Sequence, residues 1–175
     1  MRLSHSLLAT LTLSLALVGC PDAKDASSQS GSSGAGAAGG AQATTFSIDQ
    51  MNGTGKLALQ PGKVMVVDFW ATWCDPCKKS FPKLQELYTK YKASGLEIAA
   101  ISEDDEKGGI VDFAKTYGAK FPVGWDGDKS IAKKWQPKSM PSTFIVDRKG
   151  VIKFSHTGYH DGEEAEIEKE IKSLL

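Results

Sequence analysis

Cysteine is scarce in this chain, with three residues in 175. Two of them form one close pair, so any thiol chemistry rests on that pair alone. Charge of a dominant sign is also lacking. Lys+Arg and Asp+Glu both number 21, the formal net charge is zero, and no basic block or interleaving of aromatic with basic residues occurs. That excludes nucleic acid as an expected partner. The chain has no Gly-rich phosphate loop, no Gly-x-Ser-x-Gly elbow, no His-Glu-x-x-His pair and no internal repeat,. Histidine is rare, and His156 and His160 have no third ligand at metal spacing, so both read as surface or loop residues. No metal site and no cofactor is expected. The one long apolar stretch, Leu7 to Val18, falls short of the roughly 20 residues that a membrane-spanning helix needs.

What is present is Trp73-Cys74-Asp75-Pro76-Cys77. It follows the apolar run Val64 to Trp70 and opens a helical pattern. Two cysteines separated by two residues, at a strand-to-helix junction, are placed for reversible disulfide chemistry. The alternative is a structural staple. A loop this short makes a poor one, because stabilisation in the chain-entropy picture grows with the loop enclosed.

The N-terminus reads as a secretory signal over residues 1–19: a positive start, an apolar stretch, then small residues. Its Leu17-Val18-Gly19-Cys20 ending resembles a bacterial lipobox, which implies a lipidated Cys20 as the mature N-terminus. An ordinary signal peptide would leave Cys20 a free exported thiol, which is a liability. Residues 20–45 are rich in Ala, Ser, Gly and Gln and cannot bury enough apolar surface to offset chain entropy, so a flexible tether is expected. Residues 46–175 have the size of one domain.

Along that domain the period alternates. Phe46-Ser47-Ile48 and Lys56 to Leu59 flank Asn52-Gly53 and predict a leading hairpin. Val64 to Trp70 is near-continuously apolar, as a central strand buried on both faces should be. Phe81, Leu84, Leu87, Tyr88 and Tyr91 recur at helical spacing, with Pro82 inside the pattern, where it should kink the helix. Leu96 to Ile101 predicts the next strand, Gly109 to Tyr117 a helix and Ser130 to Trp135 a shorter one. Thr143 to Val146 and Val151 to Phe154 predict two strands joined through Asp147-Arg148-Lys149-Gly150. The last helix is expected to start at Asp161, with Glu164 completing a capping box. Ile167, Ile171, Leu174 and Leu175 mark its buried face. Together these give an α/β sandwich around a mixed sheet.

At a helix start, unpaired N–H groups and the dipole favour negative charge, so Cys74 is the expected attacking sulfur. Cys77, one turn on, can strike the mixed disulfide that results. Pro76 suits a first helical turn. Asp75 beside Cys74 opposes thiolate formation and should make the pair more reducing, unless it points into water. Trp70, Trp73, Trp125 and Trp135 read as core or rim packing, with Trp73 at the site. Glu103-Asp104-Asp105-Glu106 reads as a solvated loop.

Val67-Asp68-Phe69-Trp70-Ala71-Thr72-Trp73-Cys74-Asp75-Pro76-Cys77, then Pro82, resembles the active-site segment of the thioredoxin superfamily. Met140-Pro141-Ser142-Thr143-Phe144 resembles its cis-proline loop. The stretch Phe121 to Pro137 looks like a central insert. Insert, hairpin and export signal together resemble the TlpA/ResA-like branch of extracytoplasmic thiol–disulfide oxidoreductases. The resemblance implies a three-layer sandwich, with a central mixed β-sheet flanked by helices. It implies a cis Pro141 that, with Met140, faces the cysteines and receives substrate. Asp68 matches the buried acid of thioredoxins, and its apolar setting should raise its pKa toward neutrality. Ser80 departs from the branch, many members of which carry an acid there, so the proton role is expected to fall to Asp68. The implied partners are protein thiols or disulfides, with apocytochrome c as the substrate class suggested, and an unidentified membrane redox donor. The implied place is a bacterial membrane, facing the periplasm or cell exterior. Two rival functions are a copper(I) chaperone using the Cys pair with Met140 and a thiol peroxidase. The second lacks the Thr that should stand at Ala71.

Overall fold

A computed structural model describes residues 40–175. The expected signal peptide, lipidated Cys20 and most of the tether lie outside the described residues. A small antiparallel hairpin comes first, β1 (Ser47–Asp49) and β2 (Lys56–Ala58), with Ile48 opposite Leu57. The Asn52 side chain does not serve its turn. Its amide donates to the Phe121 carbonyl and its oxygen accepts from the Val123 N–H, so it pins the hairpin to the later insert.

The main sheet has five strands in the order β5-β4-β3-β6-β7. Its centre is β3 (Val64–Trp70), with every residue buried, as its near-continuous apolar sequence requires,. Parallel β4 (Leu96–Ser102) sets Val64 opposite Leu96 and Trp70 opposite Ser102. Parallel β5 (Val123–Trp125) continues to one edge. On the other side β6 (Ser142–Val146) runs antiparallel, with Asp68 opposite Thr143, and β7 (Ile152–Thr157) closes that edge.

One face carries α1 (Asp75–Tyr91), α2 (Ile110–Thr116) and α4 (Glu163–Leu174). Helix α1 runs continuously past Pro82 and turns Cys77, Ser80, Phe81, Leu84, Leu87 and Tyr88 inward, a single helical stripe,. Phe81 is fully buried, its ring 4.6 Å from Trp70 and 5.1 Å from Phe113. Truncating it to Ala should cost about 3–5 kcal/mol, because the hole left among these rings cannot collapse. The opposite face is covered by the hairpin and by α3 (Ser130–Trp135), where Trp135 packs on Phe46, Phe69 and Phe144. The result is the three-layer α/β architecture, with β5 and α3 as the central insert. Gly124 records how tightly the hairpin sits on that insert: a Cβ there would overlap Ile48.

Four local expectations are corrected. Packing begins before Phe46: the Ala43 N–H donates to the Gly150 carbonyl and the Ile152 N–H to that of Ala41, while Ala43 is buried. Toward the other edge, the Met51 N–H donates to the Val123 carbonyl. This segment therefore crosses the sheet's far face from the β7 edge to the β5 edge. Helix α4 starts at Glu163 after Gly162 in a left-handed conformation (φ 97°), because Asp161 makes no cap; Glu164 accepts from the Gly162 N–H and keeps only half of a capping box,. Strand β7 extends beyond Phe154. It carries His156 into the interior, 4% exposed, where Glu163 and Glu170 bind both ring nitrogens, so this histidine is not a surface residue.

Candidate functional site

The site forms at the C-terminal end of β3. Cys74 is the N-cap of α1, and the Cys77 N–H points at its sulfur over 3.2 Å. Cys74 and Cys77 are joined in a disulfide, with Cα atoms 5.3 Å apart. Cys74 is 4% exposed and Cys77 fully buried, so approach from solvent is to Cys74. Once the bond is opened, the same backbone donor and the helix N-terminus stabilise a Cys74 thiolate.

Pro76 occupies the first turn of α1. Asp75 is exposed and pairs with Lys78 at 2.5 Å, which holds its carboxyl below the usual range. Lys78 thus partly answers its charge, so Asp75 opposes a Cys74 thiolate less than an unpaired carboxylate would,.

A groove runs beside the cysteines. Trp73, Cys74, Asp75 and Pro76 line one side; Pro137, Lys138, Ser139 and Met140 line the other. The Met140–Pro141 bond is cis. Trp73 is the only large apolar side chain exposed among the described residues, at 67%. It forms a rim and does not pack into the core, whereas Trp70 and Trp135 are buried. Trp125 is half-buried and donates its indole N–H to the Asp104 carbonyl.

Asp68 lies fully buried on β3, on the face shared by Val66 and Trp70, which pack with Cys77 in one core cluster. Thr143 donates its hydroxyl to Oδ1 at 2.7 Å, and Oδ2 has no partner among the described residues. Desolvation raises its pKa to about 7; the Thr143 bond opposes this and the nearby Glu163 charge adds to it,. Ser80 is buried, and its hydroxyl donates to the Cys77 carbonyl.

Sequence reasoning missed one supporting group. Glu103 and Asp104 are not solvated: they are 7% and 5% exposed. Strand β4 is parallel to β3, so its exit lies beside the loop that leads to Cys74. There the Asp104 carboxylate accepts from the Thr72 N–H (3.1 Å), the Thr72 hydroxyl (2.7 Å) and the Ser102 hydroxyl (2.7 Å). The Asp104 carbonyl accepts from Lys129, so this one residue ties the active-site loop to the insert. Desolvation and the Asp126 charge raise the Glu103 pKa to about 7. A parallel strand ending in Ser-x-Asp beside the site strand was the available signal.

Residues 39–155 match the AhpC/TSA family. The chain is 34% identical over 114 residues to the thiol-disulfide oxidoreductase ResA of Bacillus subtilis, covering 65% of this chain and 64% of that protein. It thus spans just under two thirds of that relative's length. It is 32% identical over 136 residues to ResA of Geobacillus kaustophilus, covering 77% of each. The crystal structure of a Chlorobium tepidum protein, named as a candidate thiol:disulfide interchange protein DsbE, superposes with a TM-score of 0.73 at 31% identity, covering 77% of this chain and 96% of that one. The chain belongs to the AhpC/TSA family and, with its thioredoxin-like fold, to the group that holds the ResA thiol–disulfide oxidoreductases.

Proposed function

We propose that this chain is an extracytoplasmic thiol–disulfide oxidoreductase that reduces protein disulfides. The observation that carries the reading is the Cys74–Cys77 pair at the start of α1, with Cys74 opening onto a groove lined on its other side by Met140, which precedes cis Pro141. In the reduced protein the Cys74 thiolate attacks a substrate disulfide; a mixed disulfide forms and one substrate thiolate leaves. Cys77 then loses its proton and attacks the Cys74 sulfur. The second substrate thiolate leaves and the Cys74–Cys77 disulfide closes. Asp68 is the acceptor of the Cys77 proton, since its raised pKa suits exchange near neutrality,. An external dithiol, supplied by a membrane donor, restores the reduced pair.

The lipobox-like Leu17-Val18-Gly19-Cys20 supports anchoring through lipidated Cys20, with the domain facing the periplasm or cell exterior. The names of the ResA relatives support thiol–disulfide exchange, and apocytochrome c disulfides are the substrate class we assign. The test is single-turnover reduction of a disulfide-bonded apocytochrome c haem-site peptide against a scrambled disulfide peptide. Faster turnover of the first supports the assignment, and equal rates remove it. Cys20→Ser should move the protein to the soluble fraction with unchanged turnover. Peroxide consumption faster than disulfide turnover, or Cu(I) retained by the reduced pair against a strong chelator, would shift the function to one of the two rivals.

A further inference from the structure

His156 is a buried imidazole that the exchange chemistry does not use. Its Nε2 lies 2.7 Å from Glu170 Oε2 and its Nδ1 3.2 Å from Glu163 Oε1. Both glutamates come from the inner face of α4 and are 6% and 8% exposed, flanking buried Ile167. Two carboxylates and a ring placed in an apolar layer are costly unless they satisfy one another. Both ring nitrogens can donate only in the imidazolium form. The cluster sets two carboxyl groups against one imidazole, so its acidic groups outnumber its basic one.

Its position gives that charge a target. His156 is opposite Thr143 in the β6–β7 register, and Thr143 is opposite Asp68 in the β3–β6 register. Residues paired directly across strands share a face, so the three side chains form one row. With strands about 4.8 Å apart, His156 and Asp68 are separated by about 10 Å. Across that distance lie a threonine and buried side chains, so charge is weakly screened,. The groups that face Asp68 are Thr143 from β6, Ala100 from β4, the Cys77 side of α1 and Glu163 from α4. Thr143 neutralises no charge, and Asp68 Oδ2 has no partner among the described residues. Glu163 is therefore the acid among these groups whose charge bears on Asp68, and His156 is its direct partner at 3.2 Å.

We propose that Glu163 and His156 are positioning residues for the proton-transfer step: they set the charge state of Asp68, and so the pH at which Cys77 can be deprotonated to close the disulfide. The inference rests on the reading of Asp68 as proton acceptor. The Cys77 proton passes to the Asp68 carboxylate, the Cys77–Cys74 sulfur bond forms, the bond from Cys74 to substrate breaks, and the substrate leaves as a thiolate. Asp68 afterwards returns its proton to solvent or to that thiolate. A more negative cluster keeps Asp68 protonated to higher pH and delays its use as a base. A less negative one frees it earlier.

The experiment is a carboxyl-carbon NMR titration of Asp68 in the disulfide form of the full chain, where neither active-site cysteine titrates. It is paired with the pH profile of mixed-disulfide resolution. Glu163→Gln removes an anion and should lower the Asp68 midpoint by about half a unit or more. His156→Gln removes the partner of Glu163 and should raise it. The resolution profile should follow in both directions. Loosened packing would lower stability but would not move the midpoint oppositely in the two variants. If H156Q does not fold, E163Q and E170Q decide: both should lower the midpoint, E163Q further. An unmoved midpoint, or movement in the same direction in E163Q and H156Q, overturns the proposal. Opposite midpoint shifts with a fixed resolution profile would overturn Asp68 as the acceptor for Cys77, and with it the kinetic half of this inference, while its electrostatic half would stand.

Discussion

Thr143 and Asp68 face each other across β6 and β3, the threonine hydroxyl donating to Asp68 Oδ1 over 2.7 Å. The strand that follows cis Pro141 therefore also holds the buried acid behind the cysteines. The cis-proline loop and the buried acid are thus joined through one cross-strand pair, and the expected behaviour of variants follows from that pair and from the turn that carries Cys74.

Asp68→Asn should change how stability depends on pH. The folded-state pKa of Asp68, about 7, lies above its unfolded value. Between about pH 4 and 7 the unfolded chain has released this proton and the folded one retains it, so wild-type stability falls as pH rises through that window. The variant lacks this loss. Its stability relative to wild type should grow from pH 4 to pH 8 by up to about 4 kcal/mol. Urea unfolding of both proteins at the two ends of the range measures it, and a difference that stays constant with pH would refute the assignment.

Cys77→Ala should accumulate covalent substrate complexes through Cys74, and Cys74→Ala should accumulate none. Cys74 caps α1 and receives the Cys77 N–H, whereas Cys77 is fully buried. Mass spectrometry of trapped complexes locates the linked sulfur; a substantial population on Cys77 would reverse the roles.

Asp75→Asn should raise the reduction potential only slightly, by less than about 30 mV. Lys78 already answers the Asp75 charge at 2.5 Å. Lys78→Ala should lower the potential, since it leaves Asp75 to oppose the thiolate unaided. Equilibration with a glutathione redox buffer reads both shifts, and a large rise in D75N would mean that the pairing is ineffective.

Asp104→Asn should destabilise the fold by about 1–3 kcal/mol, because the amide cannot accept from Thr72 and Ser102 as the carboxylate does,. It should also slow turnover about tenfold by loosening the approach to Cys74. Thr72→Val, which removes only the hydroxyl bond, should fall between. Denaturation and steady-state reduction of a disulfide peptide give both quantities. Unchanged turnover in D104N would make Asp104 structural only.

The parts of this fold that were legible in sequence are those with a local cause. The near-continuous apolar run of β3 and the Cys-x-x-Cys that follows it locate the central strand, helix α1 and the two reactive sulfurs. The Asp147–Gly150 turn locates β6 and β7, where Asp147 accepts from Lys149 and Val151. What escaped has causes on other elements. His156 falls past the residue at which strand pattern fades, and its burial depends on two glutamates from α4. Those glutamates share a helical face with Ile167 and Ile171, and two acids on an apolar face imply a hidden partner. Asp104 sits in an acidic run that reads as solvated, and only the parallel pairing of β3 with β4 brings it under Thr72. Trp73 was ambiguous because exposure of one aromatic is set by the shape of the groove and not by spacing.

The stretch that crosses the back of the sheet has a mechanical meaning. Its first bonds, between Ala41–Ala43 and Gly150–Ile152, lie by the turn after Val146, which pairs with Met65, at the end of β3 opposite Trp70 and Cys74. A pull on the chain ahead of Ala41 is met there first, and it reaches the hairpin and β5 only after those bonds yield. Force applied at the N-terminal side thus enters the molecule at the end of β3 opposite its reactive sulfurs. A domain stitched in this way can be held under tension with its chemistry undisturbed.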